Sequence, residues 1–217
     1  TNITDQPSWF KITDVTVQLQ NKDKLEKEGL VVEVLDNSTV LESVSVYAPR
    51  SVQDSMTKSD LVATADLKNI AGLDTEKTVK IDTTSRYNVS QIIPDHNEVK
   101  LKVEKRSKKG VNIEARTTGK PSDDYIAGKP KIDKTQVQIS GAKSDIDKVA
   151  KAEVSVDVSG LADDFSTVEE IKLYDADGEL IDNSNIDMNI KEVLVNIDIL
   201  QTKFVPIVYT VTGEPAS

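Results

Sequence analysis

Apolar and polar residues alternate along most of this chain, in short runs broken by glycine, proline and aspartate. Val15, Val17 and Leu19 recur at every second position, as do Val44 and Val46, then Leu61, Ala63 and Ala65, then Val79 and Ile81, then Val99, Leu101 and Val103. The second half repeats the habit at Val111, Ile113, Ala115 and Thr117, at Val137 and Ile139, at Val154, Val156 and Val158, at Ile171 and Leu173, and at Val193, Val195, Ile197 and Ile199. A period of two is the mark of half-buried strands, and β-branched side chains suit a pleated surface. The pattern predicts a mostly β chain. Each half holds one short helical candidate, residues 144–149 and residues 51–56, with Ser144 predicted to cap the first turn and acids near its positive end. Asp177-Gly178 predicts a hairpin turn between two apolar pairs. Gly119-Lys120-Pro121 and Gly213-Glu214-Pro215 close their strands, since glycine takes left-handed backbone angles and proline lacks a ladder donor.

The chain is also internally repeated. Residues 98–121 align without a gap on residues 192–215, matching Glu98 with Glu192, Val103 with Ile197, Val111 with Val205, Ile113 with Ile207, Gly119 with Gly213 and Pro121 with Pro215. Residues 44–56 align on 137–149, and 63–67 on 154–158. Repeats of this kind set the architecture before any local reading. The expected organisation is a divergent first unit at 1–104, a second at 105–203, and the opening strand of a third at 204–217. Short linkers are expected near 104–110 and 200–204, with the units strung out in an elongated arrangement. The stop at Ser217, just after Gly213-Glu214-Pro215, reads as a cut from a longer protein; the alternative is a two-unit protein whose last strand closes the second sheet. An unpartnered strand at 204–212 also predicts strand exchange between copies.

Composition narrows the function. The 217 residues carry 27 basic and 37 acidic side chains, a net charge of −10, and each half contributes −5. So acidic a chain is a poor general ligand for nucleic-acid phosphates. No apolar run approaches the length of a membrane helix, and no signal peptide is apparent at the start. The absence of cysteine removes disulfides, thiolate metal sites and thiol nucleophiles. With one Trp, five Tyr and three Phe, the core must be built from Val, Ile and Leu.

Candidate chemistry is sparse. Asp175-Ala176-Asp177-Gly178-Glu179 resembles the opening of a calcium loop, but its glycine comes two residues early. A hairpin turn is the simpler reading. The twelve acids between residues 157 and 198 face only Lys172 and Lys191, which suits weak cation attraction or a solvated face. His96 is the sole histidine, and Pro94-Asp95-His96-Asn97 reads as a turn, with a serine triad around it the alternative. Gly119-Lys120 lacks the rest of a phosphate loop, and its repeat twin Gly213-Glu214 swaps the cation for an acid. Lys105-Arg106-Ser107-Lys108-Lys109 lacks the interleaved aromatics of a nucleic-acid site. Asn2, Asn37 and Asn88 begin N-x-S/T triplets. Trp9-Phe10 either lies at a membrane interface or packs on the first unit. No catalytic, cofactor-binding or metal-binding residues are assigned.

The repeated segments resemble the YbbR-like domain family. The resemblance is carried by residues 111–128 (VNIEARTTGKPSDDYIAG), 135–161 (TQVQISGAKSDIDKVAKAEVSVDVSGL) and 204–215 (FVPIVYTVTGEP). The second unit departs from the family pattern at Asp124-Tyr125, where a Gly-Tyr pair is usual. The first unit has Ala48-Pro49 in place of a glycine and residues 63–70 (ATADLKNI) in place of a VDVSGL-like run. The resemblance implies tandem β domains with one short helix per repeat. It further implies a non-catalytic, extracytoplasmic module, anchored in Gram-positive bacteria by an N-terminal membrane helix and regulating a membrane diadenylate cyclase, the source of cyclic di-AMP, by protein–protein contact. A structural spacer or cell-surface adhesion repeat is the alternative.

Overall fold

The structure, a computed structural model, describes residues 5–210 and 212–213. Asn2, Glu214 and Pro215 therefore lie outside the described residues. The chain divides into two compact units, Thr1–Ser107 with Gly141–Ser144, and Lys108–Ser140 with Asp145–Ser217.

In unit 1, β1 (Pro7–Gln20) leads to a short helix α1 (Lys22–Lys27), β2 (Leu30–Val34), β3 (Val40–Pro49) and the single-turn helix α2 (Arg50–Gln53). A 3-10 turn, β4 (Leu61–Asp66), β5 (Glu76–Lys80), β6 (Asp82–Ser85), β7 (Gln91–Pro94) and the 21-residue β8 (Glu98–Thr118) follow. Five strands form a mixed sheet in the order β6-β4-β1-β3-β7. Its central strand β1 runs antiparallel to β3 and parallel to β4. The first part of β8 pairs with β2 on one side and β5 on the other, both antiparallel.

Unit 2 repeats the plan. After β9 (Tyr125–Ala127) and β10 (Lys131–Ile132) come β11 (Gln136–Ala142), helix α3 (Lys143–Lys148), β12 (Lys151–Asp157), β13 (Phe165–Glu170), β14 (Lys172–Tyr174), β15 (Asp187–Met188), β16 (Glu192–Ile197) and β17 (Ile199–Gln201). The order β14-β12-β8-β11-β15 matches unit 1 strand for strand, with β8 in the place of β1 and parallel to β12. The smaller sheet β10-β16-β13 matches β2-β8-β5. Thus β8 ends the small sheet of unit 1 and begins the large sheet of unit 2.

Each unit has its own core. Leu41, Val44, Val46, Leu67, Val99 and Leu101 are fully buried in unit 1, and Val137, Ile139, Ile146, Leu173, Val195 and Ile197 nearly so in unit 2. Burying each such side chain contributes about 1.5–3 kcal/mol, so many aliphatic residues replace a few aromatics. Glu153 is buried as well, but Arg116 Nε at 2.7 Å and Lys151 Nζ at 3.1 Å neutralise it.

Three local expectations need correction. The division between the units does fall within 104–110, between Ser107 and Lys108, but these residues are strand and not loop. They lie within β8, because the charged side chains stand off the strand while its backbone stays in the ladder with β2 up to Lys105. Likewise residues 199–201 are β17, paired with β9. Ser144 does not cap α3; it sits inside the first turn, and its amide and hydroxyl donate to the buried Glu104 carboxylate at 3.2 and 2.8 Å. Ser51 does the same in α2, donating its amide at 3.0 Å and its hydroxyl to Asp5. Finally, unit 1 has an extra helix, α1, with one apolar residue, Leu25, packed against the core and Gly29 at a φ of 81° just past its end.

Candidate functional site

His96 lies in the turn between β7 and β8, as the sequence suggests. The fold brings Asp95 and Ser38 beside it, so the three residue types of a hydrolytic triad meet. Their geometry differs from a triad. Asp95 Oδ2 is 3.3 Å from His96 Nδ1, but Nε2 lies 2.9 Å from the Ser38 carbonyl oxygen, not from its hydroxyl. The Ser38 hydroxyl donates to the Lys100 carbonyl and accepts the Lys100 amide. A base and nucleophile must share a hydrogen bond, and this pair does not. The cluster instead pins the β2–β3 turn to β8, helped by the Lys100–Asp36 ion pair at 3.1 Å.

Several of the acids of residues 157–198 are engaged in turns and ion pairs. Asp175 Oδ1 accepts the amides of Asp177 and Glu179, each at 2.9 Å, and Gly178 takes a φ of 83°. The predicted hairpin turn therefore forms. Asp182 is held below the ordinary carboxylate range by the Ser184 amide. Asp198 bonds Lys131 at 2.7 Å and raises the ammonium above its ordinary value. Asp164 accepts the Ile199 amide. Among the described residues, no group of three or more His, Asp or Glu is placed to hold a metal ion. In the basic run, Lys109 Nζ donates to the Val149 carbonyl.

Gly119 is structural. Its φ is 77°, and a Cβ there would collide with Ser159 Oγ and meet Asp157 Oδ1 at 2.6 Å. Asp157 accepts the Ser159 hydroxyl and amide, and both, the hydroxyl first, lower its pKa from 3.8. Asp124 takes a φ of 67° where the resembling family has glycine, and its carbonyl accepts Thr202.

Trp9 and Phe10 divide their roles. Phe10 packs against the core, whereas Trp9 is 49% exposed and meets Tyr47 in a tilted ring pair, centroids 5.2 Å apart and planes at 48°. The strand registers place Trp9 opposite Tyr47, Lys11 opposite Ser45, and Ser45 opposite Ile93, itself 52% exposed. The small Ser45 leaves a groove of about 320 Å³ lined by Trp9, Phe10, Lys11, Ser45 and Ile93. Sequence reading found Trp9 but missed Tyr47, Lys11 and Ile93, which lie far apart in the chain. The available signal is that residues 6–13, 43–53 and 83–94 contain no acid.

The family described as YbbR-like protein matches residues 111–190. No curated protein matches the chain. Among solved structures, a YbbR-like protein from Streptococcus pneumoniae is similar over 93% of this chain and all of its own, with a TM-score of 0.54 and 13% identity. The protein SuR18C from Streptococcus thermophilus covers 48% of this chain and 95% of its own, at 21% identity and a TM-score of 0.39. The Ybbr-like domain of a Listeria monocytogenes protein covers 45% and 94%, at 22% identity and a TM-score of 0.34.

Proposed function

With residues 111–190 a YbbR-like domain and its strand order repeated in unit 1, we propose that this chain is a non-catalytic regulatory module that works by protein contact. One observation carries the reading: the two units share backbone plan and core, but not reactive side chains. His96 aligns with Ile190 and Asp95 with Asn189 in the repeat. A site of chemistry duplicated with its fold would keep its functional groups; a scaffold that offers surfaces need not.

The partner follows from the family resemblance. In the manner of CdaR, the module is displayed outside the cytoplasmic membrane, held by an N-terminal helix, and modulates a membrane diadenylate cyclase. The test is co-expression of the membrane-anchored protein with the cyclase, reading complex formation and cyclic di-AMP level together. The reading predicts co-purification and a changed cyclic di-AMP level relative to cyclase alone. Neither effect would leave the spacer or adhesion reading.

A further inference from the structure

The large sheet of unit 1 carries, on its outer face, rings that the sheet itself does not call for. Rows of side chains run across β1, β3 and β7 as Trp9, Tyr47 and Gln91, then Lys11, Ser45 and Ile93. Thr13 and Ser43 make the next row, and Asp95 continues it just past β7, its amide bonded to the Ser43 carbonyl. Unit 2 builds the same sheet with Ser140 aligned on Tyr47 and Gln138 on Ser45. Trp9 and Ile93 are each about half exposed. Around them the polar ends of Trp9, Lys11, Ser45, Tyr47 and Gln91 make no hydrogen bond or ion pair with another described side chain. Lys11 and Asp95 are the only charged side chains in these rows, one of each sign, so the face selects neither an anion nor a cation.

We propose that this face binds an uncharged oligosaccharide, one pyranose ring seated in the groove against Trp9 and Tyr47, with Gln91 and Ser45 bonding its hydroxyls. The groove, about 320 Å³, is at the lower end of small-molecule sites. A pyranose has the matching chemistry. The C–H groups on one side of its ring carry partial positive charge and suit the negative face of an aromatic ring. The hydroxyls on its rim both donate and accept, as the Gln91 amide and the Ser45 hydroxyl do. A lipid surface would use the rings and Ile93 but would bury the amide and the hydroxyl without partners, which costs free energy. This proposal goes beyond the regulatory role and stands whether or not the module meets a cyclase.

Trp9 is the only tryptophan, so its fluorescence reports on this face alone. The 217-residue protein is titrated to millimolar concentration with cellohexaose and with chitohexaose, followed by Trp9 emission and by calorimetry. The expected result is saturable binding of at least one of them with a change in emission. High salt should not weaken it, because the ligand is uncharged. By calorimetry, Trp9→Ala should weaken binding about ten-fold, and Gln91→Ala about five-fold, the loss of one hydrogen bond. Lys11→Gln keeps a donor and removes only charge, so it should change binding less than about two-fold. The Gln91 and Lys11 variants should keep their melting midpoints, since both side chains are exposed. Binding of neither sugar would overturn the proposal. So would binding that neither Trp9→Ala nor Gln91→Ala weakens. A Trp9 shift produced by phosphatidylcholine vesicles, or by protein concentration alone, in place of the sugars would also overturn it, in favour of a lipid surface or a second copy.

Discussion

At the scale of single residues, the backbone conformation decides what each position tolerates. Gly119 and Gly213 are repeat twins, yet only Gly119 has a crowded left-handed backbone, against Ser159 and Asp157. Gly119→Ala should destabilise unit 2 by about 1–3 kcal/mol, while Gly213→Ala, with open space around it, should stay within about 0.5 kcal/mol; urea unfolding of both variants checks the contrast. Asp124 makes the complementary case. Its φ of 67° is cheap for glycine and costly for alanine. Asp124→Gly should hold or raise the melting midpoint and Asp124→Ala should lower it, and the reverse order would refute the backbone argument. The turn aspartates set the acid response. Asp157, Asp5, Asp66 and Asp182 all titrate below 3.8 in the folded chain, through bonds from Ser159, Ser51, the Lys68 amide and the Ser184 amide respectively. A lowered folded value contributes stability that is present above pH 3.8 and disappears as pH falls through that lowered value. Stability should therefore hold from neutral pH to about pH 4 and fall below it, and Asp157→Asn should make that fall shallower in an acid titration followed by circular dichroism.

At the scale of elements, α2 and α3 are each tied to an acid from earlier in the chain: Asp5 accepts from Ser51, and Glu104 accepts from Ser144. The serine was legible in the sequence, since serine near a helix start is a capping signal. Its actual role was not, because the bond comes from residues about forty positions away, and local spacing carries no information about them. Glu104→Ala leaves the half-buried amide and hydroxyl of Ser144 without their acceptor, so it should cost about 1 kcal/mol or more. Equilibrium unfolding should show this, and a loss below about 0.5 kcal/mol would mean that Ser144 finds another acceptor. The strands were more legible than the helices. Every alternating run named from the sequence contributes to a buried core, because period two survives even where the phase shifts. In β1 the inward residues change from Phe10 and Ile12 to Val15 and Val17 across Asp14, which takes a φ of 57°. Helix α1 has six residues and a single apolar anchor, too few for a helical period to emerge. The basic run 105–109 looked like a linker because charge usually marks loops; within β8 it is an exposed stretch of a strand.

At the scale of the whole molecule, burial follows the company a segment keeps and not its sequence alone. Val205 and Ile207 align with Val111 and Ile113, whose exposures are 5% and 7%, yet they stand 75% and 73% exposed and belong to no strand. Val111 and Ile113 are buried because β12 lies beside their strand and β11 borders it on the other side, and no described strand plays that part for 204–210. The repeat made the strand-forming character of 204–210 visible; only the structure shows that both units close without it. The aromatic face was half legible for the same reason, since Trp9 is conspicuous alone but its neighbours are assembled by strand pairing. Two double substitutions separate pattern from context. Val111→Lys with Ile113→Lys should abolish cooperative unfolding of unit 2, because two charges would enter an aliphatic core without partners. Val205→Lys with Ile207→Lys should leave both units' melting midpoints unchanged. A lowered midpoint in the second variant would show that 204–210 is docked on a unit in solution, and a higher-order species lost only in that variant would show that a second copy covers it.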